Sequence, residues 1–237
     1  MAFVNPQLTL DVRLRDGSSF ENFYASANRE AVGQLQHLLT QTPPAFLFFW
    51  GESGSGKSHL LQAACRALQA QGATAAYVPL AGARELAPAL LEDRERAGIV
   101  CVDDVDAIAG DAAWERALFV LAERVRQYPG RLVAAARAAP AQLGLGLPDL
   151  ATRLGWGPVY QLPALTDDER IAAMQLRGRN RGFDIADDAA RYILNRFPRD
   201  MHSLFALLDR IDRLTLAQQR RVTIPFLRTL IDPPRAP

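Results

Sequence analysis

The chain has 237 residues, 49% of them hydrophobic, and a formal net charge of +1, which allows one large domain or a domain with a small appendage. That charge balance removes the electrostatic ground for tight nonspecific nucleic-acid binding, which marks clearly basic domains. Two cysteines, Cys65 and Cys101, are too few for a disulfide scaffold or a zinc site and read as small buried hydrophobes in apolar runs. No apolar run approaches the length of a membrane span, and "MAFVNPQLTLDV" lacks the layout of a secretion signal, so the chain reads as cytoplasmic and free of membrane contact.

In chain order, residues 1–18 read as an extended tail carrying "QLTLDVRL", followed by a helix over 28–39 that ends before "QTPP". "AFLFFWG" is an apolar run of strand length. Residues 58–71 have helical periodicity and stop at Gly72. "ATAAYVPL" is a second strand leading into a helix over 84–95, and "GIVCVDD" is a third strand, ending in two acids. A helix over 112–127, a strand "RLVAAA" and a short strand "PVYQL" complete this part. Strands that alternate with helices and are apolar throughout predict a parallel sheet covered on both faces.

After about residue 164 the pattern turns all-helical. "TDDE" at 166–169 is a capping box opening a helix that ends near Gly182. Helices follow over 187–196 and from about Asp200, the latter with Met201, Leu204, Phe205, Leu208, Ile211 and Leu214 on one face. "TIP" at 223–225 reads as the start of a last short helix. The expected fold class is α/β: a three-layer parallel-sheet domain over 19–164, behind the tail at 1–18, with a small all-helical lid over 165–237.

Of the 27 basic residues all but Lys57 are arginine. Where Arg serves nearly everywhere, the surviving ammonium marks a place that needs a compact, flexible point charge. It lies in Gly51-Glu52-Ser53-Gly54-Ser55-Gly56-Lys57-Ser58, which fits G-x-x-x-x-G-K-[ST] at every fixed position. Glycines there let successive backbone N–H groups converge as an anion nest, and the following helix adds its positive end. Gly51, Ser53, Gly54, Ser55, Gly56, Lys57, Ser58 and the adjoining His59 are the candidate contacts to ADP or ATP. Lys57 reaches the β- and γ-phosphates, and the Ser58 hydroxyl is a hard oxygen ligand for Mg²⁺. Taken alone, Asp103 and Asp104 could simply cap a strand. Downstream of a P-loop they read as the acid that holds magnesium through water (Asp103) and the acid that orients the attacking water (Asp104).

"WGESGSGKSHLLQAA" and "FENFYASANREA" resemble the DnaA branch of the AAA+ ATPases, the second resembling the segment whose backbone borders the adenine. With "GLPDLATRLGWG" and "LRGRNRGFDI", and with the chain stopping at Pro237 where a DNA-binding domain would follow, the whole layout is similar to the Hda family. The resemblance implies a negative regulator of replication initiation. Such a protein binds adenine nucleotide, docks on the DNA polymerase III β sliding clamp and stimulates ATP hydrolysis by the initiator DnaA. It can form a homodimer and makes no sequence-specific DNA contact of its own. The resemblance assigns clamp binding to Gln7, Leu8 and Leu10, in a string similar to the family's clamp motif. It makes Arg153 an arginine finger acting in trans on a neighbour's nucleotide.

Two positions depart from the AAA+ pattern: Arg137 stands where a polar sensor follows the fourth strand, and His202 stands where a lid arginine reaches the nucleotide, with Arg199 one turn earlier. A histidine is shorter and mostly neutral at pH 7. Both changes point to weak intrinsic hydrolysis. Two other readings share these residues: a DnaA-like helicase-loader ATPase, and an inactive scaffold that holds ADP.

Overall fold

The computed structural model describes residues 18–42, 45–128, 130–218 and 222–231. Gln7, Leu8 and Leu10 lie outside them. Five strands, β1 (Ala45–Trp50), β2 (Ala75–Pro79), β3 (Ile99–Asp103), β4 (Arg131–Ala136) and β5 (Val159–Gln161), form one sheet in the order β2-β3-β4-β1-β5. Every pairing is parallel. Helices α1 (Arg29–Thr40), α2 (Lys57–Ala70), α3 (Ala112–Gln127) and α4 (Pro148–Leu154) belong to the sheet domain. Helices α5 (Asp167–Asn180), α6 (Asp187–Arg196), α7 (Met201–Gln218) and α8 (Ile224–Ile231) form the lid.

Because side chains alternate across a strand, each apolar strand feeds two cores. Val100, Val102, Leu132, Ala134 and Phe48 pack with Leu118, Leu121 and Val125 of α3 and Leu150 of α4. Ile99, Cys101, Val133, Ala135, Leu47 and Phe49 pack on the opposite face with Leu35 of α1 and Leu60, Leu61 and Cys65 of α2. Both cysteines are free and buried, as the sequence suggests. The lid closes its own core around Met174, Ile193, Leu204, Leu208, Ile211 and Leu227. Among the described residues no helix is long and apolar enough to cross a membrane.

The expected helix over 84–95 does not form. Three short 3₁₀ turns, Ala83–Glu85, Pro88–Leu91 and Arg94–Arg96, stand in its place. Pro88 drives the preceding Ala87 into extended backbone (φ −99°, ψ 146°), and Asp93 turns left-handed at φ 59°. Ala83 and Leu91 still reach the core, so the apolar spacing is satisfied without a helical ladder.

Other helix boundaries fall within a residue or two of expectation. The capping box of α5 is complete: the Thr166 hydroxyl accepts from the Glu169 N–H at 3.3 Å, and the Glu169 carboxylate accepts from the Thr166 N–H at 2.7 Å. Such a cap is worth about 1 kcal/mol to the helix. Because β1, β3 and β4 are adjacent and parallel, their C-terminal ends meet at one edge of the sheet. In such folds that edge is where ligands bind.

Candidate functional site

The turn from β1 into α2 is the P-loop. Gly51 has φ 153°, and a Cβ there would stand 2.3 Å from the Leu162 carbonyl oxygen. Gly56 has φ 98°, and its missing Cβ leaves room for the Phe23 ring, which would lie 2.6 Å from it. Glycine is required at both points by backbone angle and by space. The loop therefore closes tightly over the strand ends and is roofed by the 18–24 segment.

Lys57 starts α2 and is buried. Its ammonium donates to the Gly51 carbonyl at 2.7 Å and the Glu52 carbonyl at 2.9 Å, with the Ser55 hydroxyl at 3.5 Å. Burial pulls its pKa below the ordinary lysine value, while Asp103, Asp104 and Asp106 act the other way. The ammonium thus lies within electrostatic range of these carboxylates and of the Arg137 guanidinium, while its hydrogen bonds go to the loop itself.

Asp103 ends β3 and is 1% exposed. Its Oδ2 accepts from the Tyr77 hydroxyl at 2.7 Å and its Oδ1 from the Asp104 N–H at 3.0 Å. Tyr77, not singled out from the sequence, orients the acid across the β2–β3 pairing, and its own pKa is pushed up by burial and by Asp103. Asp104 leaves the strand in a left-handed conformation (φ 56°, ψ 46°), which turns its side chain out of the sheet and into the cleft. Burial, then repulsion from Asp103 and Asp106, raises the Asp104 pKa, the direction that brings a carboxylate towards proton transfer near neutrality.

The Ser58 hydroxyl and the Asp103 carboxylate are hard oxygen donors of the kind Mg²⁺ selects, and Asp103 keeps lone pairs for a metal-bound water. Among the described residues no group of three or more His, Cys, Asp and Glu could hold a metal ion. The Ser58 hydroxyl and the Asp103 carboxylate would serve a magnesium that drew its other ligands from phosphate and water.

Between P-loop and lid lies a cleft of about 650 Å³, within the range of a nucleotide-sized ligand. Ser53 to His59, Asp104 and Arg137 line one wall, and Ala173, Arg177, Met201, His202, Phe205 and Asp209 line the other. The structure therefore brings His202 to the same cleft as Lys57, on an exposed position of α7. Arg199 instead pairs with Asp167 at 2.8 Å. Arg137 leans outward onto Asp106, whose carboxylate also accepts the Arg137 N–H at 3.0 Å.

His59 lines the cleft with the rest of the P-loop and also fastens a neighbouring segment. Its Nε2 meets the Ser19 carbonyl at 2.8 Å and its ring tilts against Phe23, centroids 5.4 Å apart, so it anchors the 18–24 segment onto α2. Burial lowers its pKa, which keeps the imidazole neutral at pH 7. Gln62 adds to the anchor by accepting from the Ser18 hydroxyl at 3.2 Å. The same segment holds the lid: the Asn180 amide donates to the Glu21 carbonyl at 2.9 Å and to Asn22 Oδ1 at 2.8 Å, and the Ser26 hydroxyl donates to Glu169.

Arg153 lies apart from this cleft, in the last turn of α4. Its guanidinium stacks over Phe119 and Trp156, 4.9 and 4.7 Å from the ring centroids, and pairs with Glu123 of α3. It does not line the chain's own cleft. Arg177, buried in the lid wall, was missed from the sequence because it is one of 26 arginines and belongs to no spaced motif. The signal available was only its place inside "LRGRNRG".

This sheet order, a P-loop leaving the central strand, an acid pair ending the neighbouring strand and a helical lid across the cleft define a P-loop module of the AAA+ fold. Residues 167–231 match the family model described as Hda, lid domain. Domain III of the Thermotoga maritima replication initiation protein DnaA superposes with a TM-score of 0.69 at 17% identity, over 92% of this chain and 99% of that one. AMPPCP-bound DnaA from Aquifex aeolicus gives 0.64 at 19% identity, over 88% and 69%. A DNA replication initiation factor gives 0.62 at 19% identity over 89% of this chain, which spans 65% of that protein's length. At these identities the superpositions speak for the fold. The lid thus matches the Hda lid model, and the chain as a whole shares the AAA+ fold of DnaA domain III.

Proposed function

We propose that this protein binds an adenine nucleotide with Mg²⁺ in the cleft between P-loop and lid and regulates replication initiation by promoting ATP hydrolysis on the initiator DnaA. Arg153 supplies the finger in trans, and Gln7, Leu8 and Leu10 dock the protein on the DNA polymerase III β sliding clamp. The observation that carries this reading is the combination of an Hda-type lid with an arginine held on Phe119 and Trp156, outside the lining of its own cleft. An arginine finger can be supplied in trans to a phosphate held by a neighbour.

Glu123 has a part in this step. It balances the Arg153 guanidinium until a more negative acceptor replaces it, and Phe119 and Trp156 keep the side chain from collapsing elsewhere. The protein's own turnover is slow in this reading. Asp104 can orient water, but the sensor positions carry an outward-leaning Arg137 and a short His202.

The test is the rate of DnaA-bound ATP hydrolysis with DNA-loaded clamp, comparing the intact chain with Arg153→Ala and with a Gln7→Ala, Leu8→Ala, Leu10→Ala variant. Both variants should return the initiator to near its unstimulated rate, the first while still binding the clamp. Stimulation that survives Arg153→Ala sinks the finger mechanism. Turnover by the chain itself, stimulated by single-stranded DNA and dependent on Asp104, would replace the reading by a helicase-loader ATPase.

A further inference from the structure

The cleft contains a cation that the P-loop chemistry does not use. Arg177 projects from α5 into the lid wall and is 5% exposed. Its guanidinium carbon lies over the Phe205 ring, 4.3 Å from the centroid. Its NH2 group donates to Asp209 at 3.3 Å, but Arg181 takes the same carboxylate oxygen at 2.6 Å and also holds Asp212 at 3.3 Å. The Arg177 Nε–H is buried without a hydrogen-bond partner.

An arginine has five N–H donors in a planar fork, and leaving one unsatisfied in the interior is costly. A buried cation that shares its one carboxylate with a second, closer arginine is under-compensated as well. Desolvation accordingly lowers the Arg177 pKa, and its charge also contributes to holding down the pKa of His59, at the start of α2. Arg177 and residues Lys57 to His59 line the same cleft, and the guanidinium rests against Phe205 with donor capacity to spare. Such a fork fits an anionic, acceptor-rich ligand edge.

We propose that Arg177 is the lid's contact to the nucleotide and binds its ribose–α-phosphate edge, the role that the short, exposed His202 leaves open on this wall. The proposal rests on nucleotide binding in the cleft. Arg177 reaches the part of the nucleotide common to ADP and ATP, whereas Lys57 and Ser58 serve the terminal phosphates. Asp209 is then a competitor for the same guanidinium as well as its partner in the free protein.

The experiment measures the dissociation constants of ADP and ATP for the intact protein and for Arg177→Gln, Arg177→Lys, His202→Ala and Asp209→Asn, with melting curves recorded without nucleotide. Arg177→Gln should weaken ADP and ATP alike by about tenfold or more. Arg177→Lys should fall between, and His202→Ala should change either by less than about threefold. Asp209→Asn should bind as tightly as the parent or tighter, because it frees the fork and removes a negative charge from the cleft. A merely structural arginine predicts the opposite, with Asp209→Asn weakened in step with Arg177→Gln. If Arg177→Gln fails to fold, Asp209→Asn decides alone: retained or tighter binding supports the contact, and weakened binding overturns it. Unchanged affinity in a folded Arg177→Gln, or a loss confined to ATP, also overturns it. No binding by the intact protein, by contrast, removes the proposed function together with this inference.

Discussion

The two walls of the cleft are built on opposite physical plans. The P-loop wall is backbone: a turn fixed by glycines whose missing Cβ atoms admit the Leu162 carbonyl and the Phe23 ring, resting on strand ends buried on both faces. The lid wall is side chain: helices with their own small core, joined to the 18–24 segment through Asn180 and to Ser26 through Glu169. Groups on the first wall have almost no freedom to lose when a ligand arrives. Groups on the second are placed by ion pairs that can be exchanged, as Arg177, Arg181 and Asp209 share charge among themselves. The difference teaches that anion capture and the response to what has been captured are assigned to separate parts of the fold. Only the second can vary without endangering the sheet.

That contrast can be broken from either side. Lys57→Ala should have the largest effect on binding, weakening ADP and ATP by about a hundredfold or more, since it removes the buried ammonium that the P-loop itself holds. Isothermal titration reads this directly, and its melting curve should stay close to that of the parent. Gly51→Ala should show the other property of the same wall. A methyl placed 2.3 Å from a backbone oxygen forces the sheet edge apart, so stability should fall by about 2–4 kcal/mol in chemical denaturation. If that variant melts like the parent, the rigid-wall description is wrong. The smallest effect belongs to the lid: Asn180→Ala removes two partly exposed hydrogen bonds and should weaken nucleotide by only about two- to fivefold, with less than about 1 kcal/mol lost in stability. An Asn180→Ala loss as large as that of Lys57→Ala would erase the distinction between the walls.

The legibility of these parts in the sequence follows the same division. The P-loop is eight contiguous residues with one permitted geometry, so motif, strand and helix could be read together, and the lone lysine marked it twice over. Asp103 and Asp104 were legible as the end of an apolar strand, although the partner that orients Asp103, Tyr77, comes from a neighbouring strand 26 residues earlier. The capping box of α5 was legible because it is a local exchange of hydrogen bonds. The segment 84–95 misled because its apolar spacing mimics a helix, while Pro88 and the left-handed Asp93 act through backbone angles that periodicity ignores. Arg177 was invisible among so many arginines, since what distinguishes it is burial against Phe205 and competition for Asp209. The place of His59 after Ser58 marks it as a cleft residue, but its contacts to Ser19 and Phe23 come from a distant segment and could not be read from the motif.

By itself, then, the sequence determined the parallel α/β sheet followed by a helical lid, the phosphate loop with its lysine, and the acids that close the third strand. All of these are encoded in neighbouring residues through periodicity, turn chemistry and fixed spacing. Only the tertiary structure decided which arginine the lid turns into the cleft, where Arg153 rests, and how the 18–24 segment fastens α2 to α5. Those outcomes depend on contacts between residues tens to more than a hundred positions apart, and on which charges are left sharing a partner once the chain has closed.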